Sequence, residues 1–325
     1  MMKSDNKNKI ITYITDHSQA TATVLVDYLG VSKQLVHRLL NTLQEEGLIT
    51  KTGRPPKVFY LLAQDQQAID TSVVASAIKA IIDDNFLNIT PTGEKQEGFS
   101  GFIGWCQKRK LPVAKTAGEY VATFKKYQRY KKSGLIDGMH KLKGTFPAVS
   151  LDKVFYLDFY SIERFGKTKL GQLLLYAKQS QDKKLIKELT GQIQSQIEAL
   201  AVKYKIDAVG FIPPTVKREV QMMREIERQL QLPYPRVALV KVKTPVSVPQ
   251  KTLNKLEDRI ENAKSTIMVD SGQKFGTVLL IDDALGSGAT INETAKKIKL
   301  QKVARKVIGL AITGSFSGFE VISEV

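Results

Sequence analysis

Apolar residues recur at helical spacing in the first part of the chain and run unbroken in short blocks in the last part, and that contrast sets the expected architecture. Ile10, Ile11 and Ile14 share one helical face, and Val24, Leu25, Tyr28 and Leu29 make a second, shorter amphipathic segment that Gly30 ends. Ser32 then caps a third helix, with Leu35, Val36, Leu39, Leu40 and Leu43 facing inward. Residues 48–51 and 58–62 read as two strands around the turn Thr52-Gly53-Arg54-Pro55-Pro56-Lys57. Beyond residue 205 the largely apolar blocks 207–212, 278–281 and 307–312 fit buried strands and 237–242 a further strand, with Met222, Met223, Ile226 and Leu230 marking one intervening helix and residues 291–299 another. In the middle, Val73, Val74, Ala77, Ile78, Ile81 and Ile82 predict a linker helix that would also serve as the seam of a homodimer, and residues 91–101 read as a loop between domains. Three parts are expected: a unit of three helices and two strands at 1–63, a basic helical connector at 64–150, and an α/β domain with a mainly parallel sheet at 151–325.

Composition narrows the class. The lone Cys106 excludes an internal disulfide, Cys and His are too few for a zinc cluster, and no apolar run approaches the roughly 18 residues of a membrane span. The polar, Lys-rich N-terminus carries no signal-peptide pattern, so the expected compartment is the cytoplasm and no membrane partner is expected. A formal charge of +17 points instead to a polyanion such as nucleic acid. More than half of that excess lies in residues 105–145, where eleven Lys/Arg face only Glu119 and Asp137. Tyr127 and Tyr130 are interleaved with these cations. Tyr127 or Tyr130 stacking on unpaired bases is one reading; the expected one is that the rings pack inward while the clustered charge forms a nucleic-acid surface.

Ser32, Lys33, Gln34, His37 and Arg38 fall at the start or on the outer side of the third helix, and are residue types that reach phosphates and base edges in a major groove. Arg54 and Lys57 on the turn would hold the DNA backbone or probe the minor groove. This order resembles the winged helix-turn-helix domains of bacterial transcription regulators, which implies DNA as a partner. The charge excess of residues 1–63 is small, eight Lys/Arg against five Asp/Glu, and a winged helix used only for protein contact is the alternative.

The most chemically distinctive stretch is the apolar block 278–281 followed by Asp282-Asp283-Ala284-Leu285-Gly286-Ser287-Gly288-Ala289-Thr290. A buried strand delivers paired carboxylates and then a glycine- and hydroxyl-bearing loop that opens a helix, an arrangement suited to a phosphate at the helix N-terminus and a vicinal diol at the acids. Two other phosphate loops are excluded: the third glycine of a dinucleotide fingerprint is missing, and no Lys follows as in a Walker A loop. Residues 166–168 imitate a Walker ending, but Ser161 stands where its first glycine would be. An unrelated α/β protein with an acid-capped helix is the alternative reading.

At these residues the chain resembles the type I phosphoribosyltransferases, and along 249–262 and 154–189 their ComF-like branch. The resemblance implies that Asp282 and Asp283 contact the ribose hydroxyls of 5-phosphoribosyl-1-diphosphate (PRPP), while residues 284–290 (Ala284, Gly286, Ser287, Gly288, Ala289 and Thr290 among them) cradle its 5′-phosphate. It further implies a diphosphate loop at Thr215, Lys217 and Arg218, where Pro213 and Pro214 offer no N–H, and a mobile flap carrying Gln250, Leu253 and Arg259. Mg²⁺ would arrive with the ligand, bridging its diphosphate. The end of the chain is similar to domains associated with RecQ-type DNA helicases. The function implied is that of a DNA-binding regulator, or an accessory factor in DNA uptake, repair or unwinding, whose α/β domain binds PRPP or another ribose phosphate. The alternative is an active Mg-dependent phosphoribosyltransferase acting on a nitrogen nucleophile.

Overall fold

The computed structural model describes residues 2–54, 56–63, 74–214, 216, 218–242, 248 and 252–316, and it divides into two compact units, Met1–Asp70 and Thr71–Val325. The first holds α1 (Met2–His17), α2 (Ala22–Leu29), α3 (Lys33–Glu45), β1 (Ile49–Arg54) and β2 (Lys57–Leu62). Local signals set its helix ends. Thr21 Oγ1 accepts from the Val24 amide at 3.3 Å, Gly30 closes α2 in the left-handed region (φ 62°), and Ser32 Oγ accepts from the Leu35 amide at 3.3 Å. Ile10, Ile14, Leu25, Val36, Leu39, Leu40, Leu43, Ile49 and Tyr60 form one buried cluster. Leu35 only packs against its edge. An antiparallel bridge between Ala20 and Tyr60 adds a third rung beside the β1–β2 hairpin. The two strands run further than expected, to the pair Arg54–Lys57.

The second unit is built on a six-stranded sheet in the order β5-β6-β7-β12-β11-β8. Its strands are β5 (Lys131–Lys132), β6 (Leu135–Asp137), β7 (Lys153–Phe159), β8 (Ala208–Phe211), β11 (Phe275–Leu285) and β12 (Ala304–Gly314). The last four are mutually parallel, and β6 and β5 close one edge antiparallel. The separate antiparallel pair β9 (Leu239–Lys241) and β10 (Ile267–Val269) adjoins β8 through a single bridge at Arg236. One sheet face, with Phe155, Leu157, Val209, Phe211, Leu279, Ile281, Leu310 and Ile312, is covered by α8 (Lys169–Ser180), α9 (Lys183–Lys203) and α10 (Met222–Leu230). On the other face, α12 (Ala289–Leu300) packs against β11 and β12. That contact is close because Gly309 has no side chain: a Cβ there would lie 2.9 Å from Val154 and 3.0 Å from Ile291. The α11 helix (Leu256–Thr266) lies against α12.

Residues 74–150 fold with this second unit. The α4 (Ser76–Asn85), α5 (Gly98–Lys108) and α6 (Val113–Gln128) helices enclose an aromatic cluster of Phe86, Phe102, Trp105, Tyr120 and Phe165. Residues 91–101, expected as a loop between domains, instead complete the hairpin of β3 (Leu87–Ile89) and β4 (Lys95–Glu97) and begin α5. Gly98 turns the chain there at φ 63°, and Asp83 Oδ1 accepts from the Phe99 amide at 2.7 Å. Burial of Phe99 and Phe102 then holds the segment down. The short α7 (Met139–Thr145) lies between β6 and β7 in sequence and covers the turn that follows β11.

Candidate functional site

On the first unit, burying Val36, Leu39, Leu40 and Leu43 turns the opposite face of α3 outward. Ser32, Lys33, Gln34, His37 and Arg38 are all exposed, as the spacing predicts. An open groove of ≈ 840 Å³ along this face is lined by Lys33, Gln34, His37, Arg38, Asn41, Thr42 and Glu45. Asn41 and Thr42 extend the polar stripe by one turn beyond the residues singled out from sequence. Their signal was the same i, i+3, i+4 spacing from His37 and Arg38. Ser32 spends its hydroxyl on the helix cap. Arg54 and Lys57 form the last pair of the hairpin, and their side chains lie outside the described residues.

In the second unit the acidic pair stands at the carboxyl end of β11, between its parallel neighbours β8 and β12. The strand continues through Asp282, Asp283, Ala284 and Leu285, so the turn is only residues 286–288, and Ala289 and Thr290 already belong to α12. Ladder pairs Ala284–Thr313 and Leu285–Gly314 account for the extension. Ser287, expected as a free hydroxyl for phosphate, is 6% exposed, and its Oγ accepts from the Ala289 amide at 3.3 Å, within the turn that leads into α12. Gly288 takes the left-handed conformation (φ 80°) with Leu142 of α7 against it. Gly286 and Thr290 keep partial exposure.

The two acids are not equivalent. Asp282 Oδ1 accepts from the Asp283 amide at 2.8 Å, while Asp283 Oδ2 accepts from Lys178 Nζ of α8 at 2.5 Å. Burial, then the neighbouring Asp283 charge, pushes Asp282 well above the usual carboxylate range. Arg218 donates to the Lys178 carbonyl, so the segment after β8, α8 and the acidic pair meet at one place. Thr215 and Lys217, from the same expected diphosphate loop, lie outside the described residues, as does Gln250 of the expected flap. Arg259 Nε donates to the Leu253 carbonyl at 2.7 Å, joining the two remaining flap residues to each other.

Two lysines were not assigned to this site from sequence. Lys178 sits in Tyr176-Ala177-Lys178, and only the packing of α8 onto the sheet brings it to Asp283. Lys141 counts among the basic residues of 105–145, yet it points inward from α7. Its Nζ donates to the carbonyls of Leu285 and Ser315 at 2.9 Å each and to Ser315 Oγ at 3.1 Å, and burial lowers its pKa to about 8. It therefore ties the ends of β11 and β12 together beside the 286–288 turn.

Among the described residues, no helix is long and apolar enough to cross a membrane. No curated protein matches the chain. Residues 10–57, from the middle of α1 to the start of β2, match the model of the MarR family. This MarR-type winged helix-turn-helix, with its polar stripe on α3, points to DNA as the partner of the first unit.

Proposed function

We propose that this chain is a DNA-binding regulator whose α/β unit binds a ribose phosphate, with PRPP as the ligand of best fit, and that occupancy of that site alters DNA affinity. The observation that carries the ligand reading is the meeting of Asp282, Asp283, Lys178 and Arg218 at the carboxyl end of a central parallel strand, beside a turn that opens α12. Asp283 offers a carboxylate to a sugar hydroxyl. Asp282, with its raised pKa, holds a proton more readily and would donate as well as accept. Lys178 and Arg218 supply positive charge for the diphosphate.

Mg²⁺ fits this reading only as a companion of the ligand. The Lys178 ammonium at 2.5 Å from Asp283 opposes a cation bound directly to that carboxylate, so the metal would be held through diphosphate oxygens, whose charge it neutralises. Pro213 and Pro214 lack the N–H donors that would stabilise a departing diphosphate, which favours binding over turnover.

The test is titration of the full chain with PRPP and Mg²⁺, with and without a duplex operator, alongside an assay for released diphosphate. A reciprocal shift in the two affinities is the expected result. Equal PRPP affinity with and without DNA removes the regulatory coupling, absence of PRPP binding removes the ligand, and steady diphosphate release establishes the transferase in place of the sensor.

A further inference from the structure

Where α6 ends and the edge of the sheet begins, the chain runs Lys125-Lys126-Tyr127-Gln128-Arg129-Tyr130-Lys131-Lys132. Its two tyrosines have different fates. Tyr127 is half-buried, its ring edge-on to Phe159 at 4.8 Å. Tyr130 is 49% exposed, and it meets Phe316, 51% exposed, at 4.6 Å between ring centroids. Both rest on the buried ring of Phe159, at 6.2 and 4.6 Å. A supported pair of half-exposed aromatic rings is costly to leave in water and is placed to receive another flat ring.

The surrounding charge selects that ring's owner. Lys126 is tied to Glu163 at 2.6 Å and Lys131 to Asp158 at 3.7 Å. Lys125, Arg129 and Lys132 are exposed and have no ion pair among the described residues. Three uncommitted cations beside two open aromatic rings complement a chain that carries both phosphates and unstacked bases.

We infer that this edge of the second unit binds single-stranded nucleic acid, with bases stacking on Tyr130 and Phe316 and phosphates neutralised by Lys125, Arg129 and Lys132. A duplex keeps its base faces covered and has no use for the rings. The site belongs to the second unit, whereas the α3 stripe belongs to the first, and it does not rest on the ribose-phosphate reading. It is nonetheless joined to that turn: Phe316 follows Ser315, and Lys141 links Ser315 to Leu285, the residue before Gly286.

The experiment is fluorescence anisotropy of the full chain with a labelled mixed-sequence DNA oligonucleotide of about 15 nucleotides, the matching RNA, and the duplex of the same sequence. Tyr130→Leu with Phe316→Leu is expected to weaken binding of the better single strand by about ten-fold or more while leaving the duplex unchanged. Replacing Lys125, Arg129 and Lys132 with Gln is expected to lower the single-strand salt slope by about 2. A parent that binds neither single strand, an unchanged affinity in the leucine variant, or a parallel loss for single strand and duplex overturns the proposal. Should the leucine variant fail to fold, Tyr130→Trp decides: its emission is expected to be quenched at saturation with single strand, and unquenched emission rejects stacking.

Discussion

The outer face of α3 and the carboxyl end of β11 are both polar, and they are built in opposite ways. On α3, Lys33, Gln34, His37, Arg38 and Asn41 stand in water, and the helix beneath is fixed by Val36, Leu39, Leu40 and Leu43. At the end of β11 the polar groups are spent on one another, Asp282 on an amide, Asp283 on Lys178, Arg218 on a carbonyl and Lys141 on the ends of two strands. A surface that reads a large polyanion needs side chains free to reach, since the partner supplies the desolvation. A site for a small ligand needs its charges partly removed from water beforehand, where each interaction is stronger and each unpaired group more costly.

That difference can be broken by mutation. The largest effect is expected from Asp282→Asn with Asp283→Asn, which removes the carboxylate charge and one acceptor oxygen from each acid of the proposed ribose site: PRPP heats in calorimetry should vanish, a loss of at least about 100-fold if each carboxylate contributes a charge-assisted hydrogen bond. Duplex binding should persist, and PRPP heats equal to the parent's would refute the site. Next, Gln34→Ala with Arg38→Ala should weaken duplex binding by about 30-fold and lower the salt slope by about 1, with PRPP affinity intact. An unchanged slope would mean that α3 does not face phosphates.

The smallest effect is thermal and sharpens the contrast. The folded pKa of Asp282 lies above its unfolded value, so ionising it in the fold costs stability. That cost is absent below the ordinary carboxylate range and accrues as pH rises through the raised value. Asp282→Asn should accordingly melt a few degrees above the parent at pH 7, with the gap closing toward pH 4. The uncharged variant melting lower at pH 7 would show that the carboxylate is structurally required.

Much of this was legible in the residues, for reasons that differ by region. The first unit follows local rules, caps at Ser32 and Thr21 and a 3.6-residue stripe, and needs no knowledge of distant contacts. The blocks at 207–212, 278–281 and 307–312 announced strands of a buried parallel sheet because both faces of each strand must be apolar, whereas 237–242, broken by Lys241, yields only β9, antiparallel to β10 and outside the six-stranded sheet. The middle of the chain was not legible as part of that sheet. The β5–β6 hairpin is five residues of strand whose pairing with β7 is a long-range choice that charge-rich sequence conceals. For the same reason Lys141 and Lys178 look like ordinary surface cations until α7 and α8 are docked. Tyr130 departs from the expected inward packing because Phe316, contributed from the far end of the chain, leaves its ring half covered.

Gly309 gives the second unit an unexpected lever. A single hydrogen at that point on β12 determines how deeply α12 seats, and the helix is a stiff rod whose first turn is the floor beneath the 286–288 bend. Adding one methyl at Gly309 would lift the rod against Val154 and Ile291 and tilt that floor without touching any charged group. On the proposed reading, ligand fit at one end of the sheet would thus depend on how closely a strand and a helix pack in its interior.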